Sequence, residues 1–312
     1  MKPTIITIIA AILLLSFFYY IADTGLRRYH QHSYHRWQAV LSDTTYYDCL
    51  FIGSSRTHDH LNPRIFDSIL HTNAYNAGID GANLLEFATI WEAYLENHRP
   101  PKYLLLNMES TCFANHTRFL NPLQYYPFLQ NKTLRRALAQ HNNPLIAFFP
   151  YAPFLALTTY NDRTRTEVVK GWAGQNDLEN SWEYKGYRGI DNDTMSDNFP
   201  PEIPIDLNNI DESAQYLRQI ANQCRQNNTQ LILVYHPTFE DYFRQHIAQN
   251  EQVLDTIYSI VRQYQLPYLR HDSLQQFQKR QYFSDRIHFN QTGANLYSRY
   301  LAHSLQPIFQ SK

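Results

Sequence analysis

Two short polar segments at opposite ends of the chain carry residue types that together can perform acyl transfer. The turn at 53–56 places Ser54 and Ser55 directly after an apolar run, and Asp285 precedes His288 by three residues. A serine hydroxyl becomes a nucleophile when a histidine accepts its proton, and a carboxylate commonly holds that histidine in the productive tautomer. The residue types therefore predict one active site formed by the serine turn and the Asp/His pair.

Alternating strands and helices are needed to bring these two segments together. Apolar runs predict strands, and apolar residues repeating every three or four positions predict helices. The predicted strands are 46–52, 74–77, 102–107, 231–235 and one near 268, and the predicted helices are 63–70, 82–98, 211–226, 239–264 and 292–308. This alternation predicts an α/β fold, a three-layer sandwich with a mostly parallel sheet flanked by helices. Ligands bind beyond the carboxyl ends of such strands, where Ser55, Gly78, Asn107 and His236 are expected.

The N-terminal segment predicts a membrane anchor. Residues 4–22 are uncharged and mostly Ile, Leu, Ala and Phe, which is long enough to cross about 30 Å of hydrocarbon at roughly 1.5 Å per residue. We interpret this segment as an uncleaved signal anchor that contacts the lipid bilayer, with a cleaved signal peptide as the alternative. Basic residues lie on both sides of it, so charge alone does not set its orientation.

Three regions are predicted: an anchor at 1–24, a juxtamembrane helix or linker at 25–44, and an α/β domain at 45–312. Within that domain, residues at about 111–206 have weak periodicity and many prolines and aromatic residues. We interpret them as an insertion. Long ordered loops often cover substrates, and Trp172 and Trp182 are suited to stacking on sugar rings, so substrate binding is expected there. The alternative is a surface excursion packed by its own aromatic residues.

Composition excludes several other classes of function. The formal net charge is −1 and the pI is about 6.9, so no nucleic-acid partner is expected. The three cysteines lack the short spacings of a zinc site and do not indicate a disulfide framework. Histidine and aspartate side chains at 58–60, with His116 and His236, are possible metal ligands, but no helical spacing of these residues supports a metal site. We therefore expect neither a metal nor a cofactor.

The order of the polar motifs resembles the SGNH (GDSL-type) hydrolase superfamily. The matching blocks are Phe51-Ile52-Gly53-Ser54-Ser55, Asn76-Ala77-Gly78-Ile79-Asp80-Gly81, the strand-terminal Asn107, and Asp285-x-x-His288. A Gly-Ser-Ser turn after an N-terminal membrane helix is most similar to the D-alanine transfer protein of teichoic acid modification and to anchored polysaccharide O-acetylation proteins. The resemblance covers roughly 45–110 and 206–308.

The resemblance implies a role for each matched residue. Ser55 is then the nucleophile, His288 the general base and later the acid, and Asp285 the residue that orients His288. The oxyanion donors are the amides of Ser55 and Gly78 and the side chain of Asn107. The chain departs from the pattern where Ser54 replaces an aspartate and where Asn107 lacks the flanking glycine and aspartate.

Each matched residue also has an ordinary structural explanation. Ser55 can cap a helical turn, Gly78 can serve a turn, Asn107 can cap a strand, and His288 can be a surface residue beside Asp285. Arg56 directly follows Ser55, and we interpret it as part of a structural salt bridge. The alternative is that its guanidinium binds an anionic group of the substrate. His236 is either a substrate contact or a satisfied loop histidine.

The expected function is that of a membrane-anchored serine esterase or O-acyltransferase acting through an acyl-serine intermediate on cell-envelope glycan. The resemblance implies an extracytoplasmic catalytic domain and a membrane-bound O-acyltransferase as a partner. A non-catalytic SGNH-fold subunit that binds glycan or assists envelope assembly is the alternative, and a secreted esterase is a third. Hydrolase and transferase share the same acyl-enzyme, so the motifs do not separate them.

Overall fold

The computed structural model describes residues 2–114, 117–177, 181–191, 195 and 210–310. The chain forms two compact units. The first, the helical unit, comprises Met1–Ser42 and Asn121–Glu179, and the second, the sheet unit, comprises Asp43–Leu120 and Asn180–Lys312. The helical unit therefore combines the N-terminal segment with part of the region interpreted as an insertion.

A five-stranded parallel sheet forms the centre of the sheet unit. The strands of the chain are β1 (Cys49–Gly53), β2 (Ala74–Gly78), β3 (Tyr103–Asn107), β4 (Ser181–Tyr184), β5 (Tyr187–Ile190), β6 (Gln230–Tyr235) and β7 (Tyr268–Arg270). The order across the sheet is β2-β1-β3-β6-β7, and every pairing is parallel. Strands β1, β2 and β3 are buried along their whole length, as their apolar runs predict.

Helices pack against this sheet and against one another. The α-helices are α1 (Lys2–Tyr29), α2 (Gln31–Leu41), α3 (Ser55–His60), α4 (Pro63–Leu70), α5 (Leu84–Asn97), α6 (Lys132–His141), α7 (Asp162–Trp172), α8 (Ile210–Gln226), α9 (Tyr242–His246), α10 (Asn250–Tyr264) and α11 (Gln291–Gln310). Phe51 and Leu105 join one buried cluster with residues of α4 and α11. Alternate strand residues point to the other face, and α5 and α8 pack together while contacting β1 and β6. The predicted fold class, a mostly parallel sheet flanked by helices, is confirmed.

The register of the sheet brings several strand ends to one edge. Gly53 at the end of β1 aligns with Gly78 at the end of β2, and Asn107 at the end of β3 aligns with Val234 of β6. Because all these strands run in the same direction, the segments that follow them emerge side by side. Ser55 follows β1 at this edge.

A two-stranded hairpin lies against the outer strand of the sheet. β4 and β5 pair antiparallel, and the two residues between them, Lys185 and Gly186, have φ values of 47° and 77°. Positive φ at both positions is typical of the tight turns that join such hairpins. The Asn76 amide donates to the Lys185 carbonyl at 2.9 Å, and a Cβ on Gly186 would lie 1.9 Å from the Asn76 oxygen. Glycine therefore permits the hairpin to dock on β2.

The helical unit is organised around α1. Within it, Pro3–Tyr29 contains an 18-residue stretch with a mean hydropathy of 2.5 and is long and apolar enough to cross a membrane. Helix α7 packs against α1 where Gly25 and Gly171 meet, since a Cβ on Gly171 would lie 1.9 Å from the Gly25 oxygen. Nε2 of His30 lies 3.2 Å from Glu167, and Nε1 of Trp172 donates to Ile21 at 3.0 Å. These contacts show that α7 runs antiparallel to α1.

The prediction of one long helix at 239–264 is wrong. The chain instead forms a 3-10 turn at Phe239–Asp241, then α9, and then α10. Glu240 and Asp241 adopt left-handed φ values of 51° and 56°, and the chain leaves α9 at Ile247, whose side chain is buried. No glycine or proline marks this break. The burial of Ile247 is a tertiary contact that local periodicity does not encode.

Candidate active site

The turn after β1 presents Ser55 at the edge of the sheet. Gly53 ends the strand so close to its neighbours that a Cβ there would lie 2.1 Å from Thr57 Oγ1 and 2.4 Å from Asn107 Cβ. Ser54 then caps α3, since its Oγ accepts from the Arg56 amide at 3.3 Å and donates to Asn107 Oδ1 at 2.9 Å. Ser54 is thus committed to structure. Ser55 is the first residue of α3 and remains partly exposed.

The structure brings Ser55, His288 and Asp285 into one hydrogen-bonded chain. Ser55 Oγ lies 2.7 Å from His288 Nε2, and His288 Nδ1 lies 2.8 Å from Asp285 Oδ2. With Asp285 ionised, the proton of the neutral imidazole belongs on Nδ1, which leaves Nε2 free to accept from the serine hydroxyl. This arrangement can remove a proton from Ser55.

The loop that carries the Asp/His pair is held by its own backbone. Asp285 Oδ1 accepts hydrogen bonds from the amides of Ile287 and His288, each at 2.8 Å. The Ser284 amide donates to the His288 carbonyl at 2.9 Å. Both carboxylate oxygens of Asp285 are therefore used, one to fix the loop and the other to orient the imidazole.

The surroundings of His288 and Asp285 shift the pKa values of both residues. Burial lowers the pKa of His288, but the hydrogen bond and the charge of Asp285 outweigh burial, so the pKa lies above its ordinary value. Burial raises the pKa of Asp285, but the hydrogen bond and the charge of His288, together with two backbone amides, bring it below its ordinary value. The site therefore favours a charged Asp285 that stabilises an imidazolium at His288.

His60 supports the His288 loop, a role that the sequence did not reveal. Its Nε2 accepts from the Phe289 amide at 3.0 Å, so this nitrogen carries no proton. Burial lowers the pKa of His60 well below its ordinary value, and the charges of His236 and Arg56 add to that effect. The neutral ring then carries its proton on Nδ1, which donates to His236 Nδ1 at 3.2 Å. His60 thus fixes the backbone next to His288.

Two of the three predicted oxyanion donors have acceptors within the protein. The Gly78 amide donates to Asn76 Oδ1 at 2.9 Å, and Asn107 Nδ2 donates to Glu109 Oε2 at 3.0 Å. Asn107 is buried, while its Oδ1 accepts from Ser54. The Ser55 amide differs from both, because the first amide of a helix has no acceptor within that helix.

Arg56 forms the structural salt bridge rather than a substrate clamp. Its side chain is 1% exposed and pairs with Glu109, which is 0% exposed. The guanidinium also donates to the carbonyls of His236 and Pro237 at 2.5 and 2.8 Å. The sequence did not identify Glu109, because no residue next to it in the sequence indicates that it pairs with Arg56, 53 positions away.

The proposed substrate contact at His236 is not supported. Its side chain is fully buried, packs against the rings of His60 and Tyr297, and lies where burial lowers its pKa well below the ordinary value. His236 is thus a neutral, buried histidine in the loop directly after β6, as the loop-histidine alternative expects, but its Nε2 has no hydrogen-bond partner among the described residues.

The two candidate tryptophans belong to different units. Trp172 ends α7 in the helical unit, where its indole donates to Ile21 and Arg28 lies over its ring at 4.2 Å. Ser55 belongs to the sheet unit, so the expected role of Trp172 in substrate binding stays a prediction. Trp182 lies in β4 of the sheet unit, but its side chain is outside the described part of the chain.

A second polar cluster lies beside the serine turn. His58, Asp59 and Asp80 bring oxygen or nitrogen atoms within 4.8 Å of one another, which is a geometry that can hold a metal ion. Arg188 of β5, however, contacts Asp59 through two bonds of 2.8 and 2.9 Å and contacts Asp80 at 2.8 Å. Its guanidinium supplies the positive charge between the carboxylates. The cluster therefore ties the hairpin to α3, and His116 of the metal alternative lies outside the described residues.

No protein-family model matches the chain, and no curated protein matches it. Among solved structures, a Desulfitobacterium hafniense protein assigned to the G-D-S-L lipolytic family is 8% identical with a TM-score of 0.42, covering 82% of this chain and 97% of that one. An acetyl-xylooligosaccharide esterase mutant from Geobacillus is 11% identical with a TM-score of 0.40, covering 86% and 97%. A GDSL-like lipase from Bacteroides thetaiotaomicron is 11% identical with a TM-score of 0.38, covering 83% and 88%. At these identities and TM-scores the similarities carry no functional argument.

Proposed function

We propose that the chain is a serine esterase or O-acyltransferase that forms an acyl intermediate on Ser55. The observation that carries this proposal is the hydrogen-bonded chain from Ser55 Oγ through His288 to Asp285, with both contacts below 3 Å. Hydrogen-bond reach between nucleophile, base and orienting carboxylate is the geometric signature of an activated serine. The motif blocks shared with SGNH hydrolases agree with the same assignment.

The chemistry follows from the positions of the protons. Ser55 Oγ attacks the ester carbonyl carbon while its proton moves to His288 Nε2, and the carbonyl oxygen becomes an oxyanion. The carbon–oxygen bond to the leaving alcohol then breaks, and that alcohol takes the proton back from His288. Water or a sugar hydroxyl enters second, gives its proton to His288 and attacks the acyl-serine, which restores Ser55.

The oxyanion is stabilised first by the Ser55 amide. One such donor typically contributes about 3 to 4 kcal/mol to the transition state. Gly78 and Asn107 can contribute only if the oxyanion competes with Asn76 and Glu109, which accept their hydrogen bonds in this structure. A charged oxygen is a stronger acceptor than an amide oxygen, so Gly78 is the donor more easily redirected.

The proposed setting is the outer side of a cell membrane. The apolar helix α1 anchors the chain, and envelope glycan is the proposed acceptor or ester substrate. A membrane-bound O-acyltransferase is the proposed source of acyl groups. These three elements are supported by the apolar N-terminal segment and by the resemblance to anchored polysaccharide O-acetylation proteins.

A fluorophosphonate probe tests the nucleophile directly. The probe reacts with activated serines, so we expect the wild-type chain to gain one covalent adduct that peptide mass spectrometry places on Ser55. Ser55→Ala is expected to abolish the adduct. Ser54→Ala is the matched control, because Ser54 is the neighbouring hydroxyl but faces Asn107, and labelling is expected to persist.

The rival function is a non-catalytic glycan-binding module with the same fold. The observation that favours it is the occupation of two predicted oxyanion donors by acceptors of the protein itself. In that case the wild-type chain would react with the probe no faster than Ser55→Ala. The same experiment therefore separates the two functions.

The activity is expected to rise with pH through the pKa of His288. His288 must be neutral to accept a proton, and Asp285 holds the pKa of His288 above the ordinary value of 6.5. The midpoint of kcat/KM against pH for an aryl acetate is therefore expected above 6.5. Asp285→Asn removes the hydrogen-bonding charge, so the midpoint should move to lower pH while the plateau falls by about 10⁴-fold. An unchanged midpoint in Asp285→Asn would contradict the pairing.

A further inference from the structure

The helical unit exposes several large apolar side chains. Phe148 is 57% exposed, Tyr151 80%, Val169 68% and Trp172 45%. Soluble surfaces expose single apolar residues routinely, but several aromatic residues in one small unit indicate an interaction surface. We call these four residues the apolar patch.

The contacts of the apolar patch show which part of α1 it lies beside. Phe149 and Pro150, which lie between Phe148 and Tyr151, line a common cavity with Tyr19 and Arg27 of α1. Trp172 donates its indole hydrogen to the carbonyl of Ile21, which lies between those two residues. The two halves of the patch, although distant in sequence, therefore lie beside the same stretch of α1.

That stretch contains the end of the apolar segment 4–22. The α1 side chains before it, including Phe17 and Phe18, are exposed apolar groups, whereas charged residues begin at Asp23. A helix that crosses a bilayer places this transition at the headgroup region, where tryptophan and tyrosine are enriched. The patch is therefore at the height of the membrane surface if α1 spans the membrane.

The polarity of α7 changes in the same direction. Because α7 runs antiparallel to α1, its first turn lies farthest from the apolar segment, and there Asp162, Arg163 and Arg165 are exposed. Val169 and Trp172 occupy the opposite end, together with the exposed Lys170. The last turn of α7 is therefore less charged and more apolar than its first turn, and it lies nearer to the apolar segment of α1.

We propose that the apolar patch lies in the headgroup region of the bilayer that α1 crosses, so that the helical unit rests on the membrane. The inference rests on the proposed anchoring by α1. Its partner is the lipid surface, because both halves of the patch lie beside the stretch of α1 in which the apolar segment ends. A second copy of the chain or a partner protein would not require this coincidence.

Spin labels on the full chain in phosphatidylcholine and phosphatidylglycerol vesicles test this proposal. Labels are placed by Phe148→Cys and Tyr151→Cys in the patch, by Leu13→Cys within the apolar segment, and by Arg165→Cys at the far end of α7. The three native cysteines are buried, so the unmodified chain gives the labelling background. Collision rates are then measured with oxygen, which concentrates in lipid, and with a nickel chelate, which stays in water.

We expect the ratio of oxygen to nickel collisions at 148 and 151 to exceed that at 165 severalfold and to lie below that at 13. Ratios at 148 and 151 equal to that at 165 would overturn the proposal. So would exclusion of both reagents from 148 and 151, which would show that protein covers the patch. A lipid-like ratio at 13 in either case leaves the anchor intact, whereas a water-like ratio at 13 refutes the anchor itself.

Discussion

Ser55→Ala is expected to lower the turnover of an activated acetate ester by roughly four to six orders of magnitude. The substitution removes the oxygen that forms the acyl intermediate, while the remaining oxyanion donors can still assist attack by water at a low rate. His288→Ala is expected to cause a loss of similar size, because Ser55 would keep its proton. Initial rates with p-nitrophenyl acetate measure both effects.

The double variant provides the sharper test. Ser55 and His288 act as one unit across a 2.7 Å hydrogen bond, so the second substitution should add little once the first is made. If the losses in the double variant multiplied, the two residues would contribute independently and the proposed mechanism would be wrong. Thermal unfolding of each variant in detergent serves as the control, because removing partly exposed side chains should leave the midpoint nearly unchanged.

The fold could be predicted from the sequence because the patterns that indicate its strands are local. Strands β1 and β3 are apolar runs that end in polar residues, and buried parallel strands require that pattern. The direction of the chain then sends Ser55 and Asn107 to the same edge. Ser55 and His288, by contrast, are 233 positions apart, and no local pattern pairs them; the pairing was predicted from the chemistry of the residue types and from the order of the motif blocks.

The residues that sequence reasoning missed act through distant contacts. His60 meets the Phe289 amide across 229 positions, and Glu109 meets Arg56 across 53. Neither contact leaves a periodic pattern. The helical unit was missed for a related reason, since its segments after residue 121 include short 3-10 turns rich in proline, whose packing on α1 has no sequence signature.

Breaking the buried pair of Arg56 and Glu109 is expected to cost about 3 to 5 kcal/mol of folding free energy. Both side chains are almost wholly excluded from solvent. Glu109→Gln keeps the shape but strands the guanidinium charge, and Arg56→Met strands the carboxylate. Glu109 also accepts from Asn107, which in turn holds Ser54, so the loss should extend to the turn that presents Ser55. Denaturant unfolding of the full chain in mild detergent measures the change.

The double variant Arg56→Met/Glu109→Leu distinguishes a stranded charge from lost packing. It leaves no buried charge unpaired, so it should be less destabilising than the sum of its two single substitutions. Lys102→Met is the matched control within the sheet unit, because Lys102 is exposed and its contact with Asp48 at 3.0 Å is a surface ion pair. That control should cost less than about 1 kcal/mol. Equal, small effects for Glu109→Gln and Lys102→Met would mean that water reaches Arg56, and the turn at Ser55 would then lack its buried electrostatic support.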